Sequence, residues 1–291
     1  RPGATLMPVD FSAIEARVIA WLAWCMWRLD VFKTHGKIYE ASAEQMFKLP
    51  PGSVTKKSPY RQKGKIAELA LGYQGGAGAL KTMGALAMGL TEDELDPIKD
   101  AWRAANPEIV ELWYAVEEKA KQAVNRRTSE VLAIADGRAE LRFTWESGFL
   151  SITLPSGRKL FYVKPRIESE DLIRETASGA RFTVARAGSL TYEGMDQKTK
   201  TWTRLSTYGG KLVENITQAI ARDCLAESML ALDEAGYSQL FTVHDEDIVE
   251  TENHDALPEI EAIMGRDIAW APGLPLRADG FSTTYYMKEI D

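Results

Sequence analysis

The sequence predicts an α+β fold, and three observations predict it. Residues 12–124 carry apolar side chains mostly at helical spacing. Residues 128–207 switch to short alternating runs rich in β-branched and aromatic residues, broken by turn signals. Helical periodicity returns at 209–235, followed by a strand-turn-strand pattern at 241–250. A helical lobe near 30–124 and a β-rich insertion at 128–207 therefore sit between two outer segments. No internal repeat or low-complexity linker interrupts them.

The elements follow in order. Leu6-Met7-Pro8-Val9 reads as the end of a buried strand, which places Asp10 at its C-terminal tip. Ser12 is the expected N-cap of a helix over 12–24, with Ile14, Val18, Ile19 and Leu22 on one face. A second helix is expected at 36–48 from Ile38, Ala41, Ala43 and Met46-Phe47, before Leu49-Pro50-Pro51-Gly52 breaks the chain. A third runs from Tyr60 to Gly72 and ends in the glycine-rich stretch 72–78. Helices are expected at 79–88, 92–104 and 107–124, with Thr91 and Glu94 spaced as a capping box. Runs 149–154 and 159–163 flank Pro155-Ser156-Gly157-Arg158 as a hairpin, and a second turn is expected around Gly194-Met195-Asp196. A helix at 257–269 and a strand at 274–280 complete the reading.

Composition narrows the class. The chain has 291 residues, 45% of them hydrophobic and 26% charged, as in a folded globular protein. No run of about 18 apolar residues predicts a membrane span. Cys25 and Cys224 are too far apart in sequence for a metal or redox motif, so a reducing cytoplasm is the expected compartment. The chain opens on Arg1 rather than Met, as a piece of a longer protein would. The net charge of −7 argues against a general polyanion binder. Basic residues nevertheless crowd at Lys33, Lys37, Lys56, Lys57, Arg61, Lys63 and Lys65, and again at Arg158, Lys159, Lys164 and Arg166. Each group is either a solvated face or a local positive channel.

Three motifs carry chemistry. In Asp10-Phe11-Ser12-Ala13-Ile14-Glu15-Ala16-Arg17, Asp10 offers the hard oxygen that Mg²⁺ prefers, and the Phe11 carbonyl offers another. Glu15 has two readings: a functional carboxylate, or the partner of Ser12 in a capping box. In Arg61-x-x-x-Lys65-x-x-x-Leu69-x-x-x-Tyr73, steps of four drift about 40° each on a helix, so two cations, an apolar residue and a phenol share one winding face. That face suits a triphosphate and a stacked base; a basic amphipathic helix is the plain alternative. In Val243-His244-Asp245-Glu246-Asp247, carboxylates gather at a turn, either solvated or paired with Asp10 across the fold. Two acidic strand tips suggest a site for two divalent metals, and hence phosphoryl transfer.

Together, Asp10-x-Ser12-x-x-Glu15-x-Arg17, Arg61-x-x-x-Lys65 with Tyr73-x-Gly75, and His244-Asp245-Glu246 resemble motifs A, B and C of family A DNA polymerases, in the right order. The likeness is to the phage-encoded branch of the bacterial polymerase I type and runs from about Asp10 to the C-terminus. It implies a right-hand fold: an antiparallel palm from 1–29 and 208–291, helical fingers at 30–127 and the β-rich insertion at 128–207. It implies a DNA-directed DNA polymerase that uses two Mg²⁺ ions, primer-template DNA and dNTPs in the cytoplasm of a bacterial host. Asp10 and Asp245 would hold the metals with the Phe11 carbonyl, and Glu246 would lie close by. Arg61 and Lys65 would bind the triphosphate, with Lys65 donating a proton to pyrophosphate. Tyr73 would border the nascent base pair, and Glu15 would act as a steric gate against a 2′-hydroxyl. Arg17, Asn215, Gln218 and His244 would contact nucleic acid.

The chain also departs from the family pattern. Leu69 stands where Phe or Tyr is usual, Tyr39 where a fingers histidine is common, and Asn215 is one residue closer to Gln218 than expected. Only nine residues precede Asp10, so thumb and exonuclease are expected to be absent. Two alternatives follow: a fragment or subunit that binds primer-template and needs a separate thumb-bearing chain, and a single-subunit RNA polymerase, against which Glu15 argues.

Overall fold

The computed structural model of the chain describes residues 3–176 and 179–286. The outermost positions of the first and last expected segments (1–2 and 287–291) and positions 177–178 of the insertion lie outside the described residues. The elements are β1 (Thr5–Phe11), α1 (Ile14–Ala23), α2 (Met26–Thr34), α3 (Ile38–Phe47), α4 (Pro59–Leu71), α5 (Ala77–Thr82), α6 (Glu92–Ala105) and α7 (Pro107–Arg126). Strands β2 (Ser129–Ile134), β3 (Ala139–Glu146), β4 (Phe149–Thr153), β5 (Lys159–Glu175), β6 (Arg181–Met195) and β7 (Trp202–Thr207) follow. The chain then forms α8 (Gly209–Glu234), β8 (Ser238–Val243), β9 (Glu246–Thr251), α9 (Leu257–Met264) and β10 (Ala278–Gly280).

Among the described residues the strands build two antiparallel sheets. The smaller has the order β10-β1-β9-β8, so the N-terminal strand is clamped between C-terminal ones. Met7, Val9 and Phe11 of β1 point into the core, which by the period of two leaves Asp10 on the opposite face. The larger sheet is a meander, β2 through β7 in sequence order. Its buried side chains, among them Leu141, Phe143, Leu150, Ile152 and Tyr162, cover α7, whose Val116, Ala120 and Ala123 are buried. The β4–β5 turn is pinned to α8: Arg158 Nε donates to Asp223 Oδ1 at 2.5 Å, Arg158 Nη2 to the Ala219 carbonyl at 2.5 Å, and Ser156 Oγ to Asp223 Oδ2 at 2.6 Å.

Helix α8 is the spine. Its 26 residues pack on α1, α7 and α9 through Leu212, Val213, Ile216, Ile220 and Leu225. Its first turn enters a tight gap. A Cβ on Gly209 would lie 2.0 Å from the Trp113 carbonyl oxygen, and one on Gly210 would lie 2.4 Å from that of Tyr73. No side chain larger than hydrogen fits there, and α8 is thereby pressed against the end of α4.

Several boundaries differ from the sequence reading. Helix α2 was not anticipated. The helix expected at 79–88 stops at Thr82, and the one at 257–269 stops at Met264. Strands β5 and β6 are 17 and 15 residues long rather than short runs, with register shifts between Val163 and Arg166 and between Glu168 and Glu170. The capping box at Thr91 and Glu94 is present. The one proposed for Ser12 and Glu15 is not: α1 begins after Ala13, whose φ of 52° is left-handed, and it has no side-chain cap.

Candidate active site

Strand β1 turns into α1 through that left-handed Ala13, a conformation that costs a non-glycine residue about 1–2 kcal/mol. The turn frees Glu15 from capping and aims it across the fold. Glu15 Oε2 accepts a hydrogen bond from the Tyr73 hydroxyl at 2.7 Å, and Oε1 lies 3.5 Å from Gln218 Nε2. Side chains from α1, the residues after α4, and α8 thus converge. Burial, and then the Glu15 charge, hold the Tyr73 phenol far above its ordinary titration range, so it stays a donor.

The second acidic motif meets the first through the small sheet. Asp10 is the direct cross-strand partner of Glu246, so both side chains leave the same face. On its other side Asp10 faces Asp279, which is held by Arg277 at 2.7 Å. His244 and Asp245 form the two-residue turn between β8 and β9, with Val243 paired to Glu246 and His244 left-handed at φ 56°. Asp245 therefore adjoins the Asp10–Glu246 pair at one end of the sheet. Glu246 Oε2 accepts from the Tyr286 hydroxyl at 3.0 Å. Asp247 pairs with Val9 and faces the core: it is 0% exposed, and neither carboxylate oxygen has a hydrogen-bond partner among the described residues. Burial pushes its carboxyl up to about 6, against the pull of the Ile248 backbone N–H and then of the Arg222 charge.

These elements border a cleft of about 770 Å³ lined by Glu15, Leu69, Tyr73, Gln218, His244 and Asp245, among others. Lys65 and Arg61 lie one and two turns further back on α4 and do not line it. Both are partly exposed. Lys65 has no hydrogen-bond or ion-pair partner among the described residues, whereas Arg61 Nε donates to Glu40 at 2.7 Å. Leu69 is 47% exposed, an open apolar position facing the cleft.

Of the expected nucleic-acid contacts, Arg17 is placed elsewhere and Asn215 has one bond within the fold. Arg17 is 1% exposed. Its Nε donates to the Ser12 carbonyl at 2.6 Å, its Nη1 to that of Pro275 at 2.8 Å, and the guanidinium stacks 4.6 Å from the Phe32 ring. Burial, with Arg277 adding to it, lowers Arg17 to about 10. The residue braces the β1–α1 turn instead of facing a ligand. Asn215 Nδ2 donates to the Tyr162 hydroxyl at 3.0 Å and ties α8 to the larger sheet. Phe11 has its ring in the core, and its backbone pairs with Ala278.

Glu214 and Arg222, which line the cleft on either side of Gln218, were missed. Their spacing of four was a usable signal, since Glu214, Gln218 and Arg222 share one helix face. Among the described residues no three His, Cys, Asp or Glu side chains form a cage for a metal ion. Mg²⁺ does not require one, because it binds through one or two carboxylates and completes its shell with water and substrate phosphates.

The class follows from the architecture. The chain has the fold of a DNA polymerase I polymerase domain. It is similar to the POL domain of Pol1 from M. smegmatis, a structure in complex with DNA primer-template and dNTP, with a TM-score of 0.53 and 17% identity. The match covers 96% of this chain and 39% of that one. In sequence it is 56% identical over 281 residues to a DNA polymerase of Bacillus phage SP02, covering 96% of this chain and 41% of that protein. The two are homologues, and the resemblance to family A DNA polymerases drawn from the motifs is borne out. No protein-family model matches the chain.

Proposed function

We propose that this chain carries the catalytic part of a DNA-directed DNA polymerase, transferring a nucleotidyl group from a dNTP to a primer 3′-hydroxyl. The observation that carries the reading is the cross-strand pairing of Asp10 with Glu246, next in the chain to Asp245, which lines a cleft together with Glu15, Tyr73 and Leu69 of the Arg61–Lys65 helix. Residues 1–29 and 208–291 are then the palm, 30–127 the fingers and 128–207 an insertion resting on both.

Asp10 and Asp245, with the Phe11 carbonyl, are the oxygens suited to two Mg²⁺ ions. Those ions, when bound, would lower the pKa of the primer hydroxyl and offset charge on the triphosphate. The remaining roles belong to the chain itself. Arg61 and Lys65 grip the triphosphate, and Lys65 protonates the departing pyrophosphate. Tyr73 borders the nascent pair. Glu15, fixed by Tyr73 and Gln218, closes the space a 2′-hydroxyl would need, which favours dNTPs over the rNTPs of an RNA polymerase. Gln218 and His244 face the primer-template. Arg17 leaves the contact set, since it is buried and donates to carbonyls within the fold, while Asn215 keeps an amide N–H and its Oδ1 for nucleic acid.

Primer extension on a labelled primer-template with dNTPs or rNTPs tests the reading. Extension with dNTPs is expected, and Asp10→Ala or Asp245→Ala abolishes it while sparing duplex binding, which phosphate contacts dominate. Preferential rNTP use, or full extension by either variant, overturns it. The chain spans 41% of its phage relative, so the assay is run with and without the remaining segment as a separate chain. Extension only on addition supports the subunit form of the proposal.

A further inference from the structure

Arg61 is held from one side by two consecutive residues of α3. Its Nε donates to Glu40 Oε1 at 2.7 Å, and its guanidinium carbon lies 5.6 Å from the centre of the Tyr39 ring. Glu40 is largely buried, with 13% of its side chain exposed against 23% for Arg61. A guanidinium has five N–H donors, and Glu40 takes only the one on Nε. The two Nη groups have no hydrogen-bond partner among the described residues. A carboxylate on Nε and a ring against the guanidinium leave the two Nη groups available, and such a pair can bind phosphate oxygens in a bidentate way.

The helix crossing that makes this possible is specified by one glycine. Gly64, three residues after Arg61, approaches α3 so closely that a Cβ on it would lie 2.2 Å from the Tyr39 carbonyl oxygen. That contact brings Tyr39 and Glu40 alongside Arg61. Glu40 was not among the motif residues, because its relation to Arg61 spans 21 residues and two helices.

We infer that Glu40, with Tyr39, is a positioning residue for triphosphate recognition: it holds Arg61 with its Nη fork free, and does not compete for that fork. The inference rests on the assignment of Arg61 to the triphosphate. An arginine side chain surrenders considerable rotamer freedom on binding, and prior immobilisation removes part of that cost.

The test is equilibrium binding of inorganic tripolyphosphate by calorimetry, with helicity and thermal melts confirming that each variant is folded. Arg61→Ala weakens binding. Glu40→Ala weakens it by roughly five- to tenfold, the scale of one immobilised side chain. Glu40→Gln keeps an acceptor oxygen on Nε and binds within about twofold of the parent, or tighter, since a negative charge is gone. In the Arg61→Ala background, Glu40→Ala weakens binding no further. In primer extension Glu40→Ala raises the KM for dNTP and leaves kcat unchanged. Loss of binding in Arg61→Ala with none in Glu40→Ala, or tighter binding in Glu40→Ala, overturns the role of Glu40 alone. Unchanged binding in Arg61→Ala overturns the assignment of Arg61, and the inference with it.

Discussion

Replacing Arg28 with Met should destabilise the helical lobe severely. Glu68, one residue before Leu69 on α4, accepts from Arg28 Nη1 at 2.8 Å, from Arg28 Nη2, from Ser42 Oγ at 2.8 Å and from Trp102 Nε1 at 2.9 Å. Arg28 Nη1 also reaches Asn106 Oδ1 at 3.0 Å. Helices α2, α3, α4 and α6 therefore meet at one ion pair whose side chains are 2% and 5% exposed. Removing the cation leaves a buried carboxylate with two neutral donors, and breaking such a pair costs about 3–5 kcal/mol. Arg28 Nε has no partner among the described residues, so the pair is imperfectly satisfied and worth little against an apolar replacement. Arg28→Met/Glu68→Leu removes the unpaired charge but leaves the Ser42, Trp102 and Asn106 groups without these partners, at about 1–3 kcal/mol each. Urea denaturation of parent, single and double variants measures this. A loss under about 1 kcal/mol in Arg28→Met would refute the reasoning.

Other expectations follow from single contacts. Glu15→Ala should raise ribonucleotide incorporation in primer extension, and unchanged sugar selectivity would remove Glu15 as a gate. Gly64→Ala should destabilise by about 1–3 kcal/mol in the same urea assay, because its methyl meets the Tyr39 backbone. An unaffected midpoint would contradict the close crossing of α3 and α4. Asp247→Leu should stabilise by about 1–3 kcal/mol, since it replaces a buried carboxylate whose oxygens lack partners. A loss of stability there would mean that the Ile248 N–H and the Arg222 charge outweigh the cost of burying the carboxylate.

Much of the fold was legible because local pattern and tertiary burial agree. Ile14, Val18, Ile19 and Leu22 all enter the core, and the hairpin around Pro155–Arg158 pairs as its flanks suggest. Helix α2 escaped because its buried face includes Arg28, a charge that breaks the apolar periodicity and makes sense only once Glu68 is placed beside it. The long strands β5 and β6 looked like short runs because register shifts interrupt their alternation. At the site, the spacing of Asp10, Glu15, Tyr73 and Asp245 was visible. That Glu15 bonds Tyr73 instead of capping α1 was not, because Tyr73 lies 58 residues away. Arg17 reads as a nucleic-acid contact in sequence; the carbonyls of Ser12 and Pro275 that take up its donors converge only in the fold.

The central claim is that the carboxylates of Asp10 and Asp245 act as one metal-binding unit. Titration of Mn²⁺, a paramagnetic stand-in for Mg²⁺, followed by electron paramagnetic resonance with dNTP present, tests it directly. Two ions bound by the parent chain, with the same loss in Asp10→Ala and in Asp245→Ala, are the predicted result. Undiminished Mn²⁺ binding in either variant would contradict it.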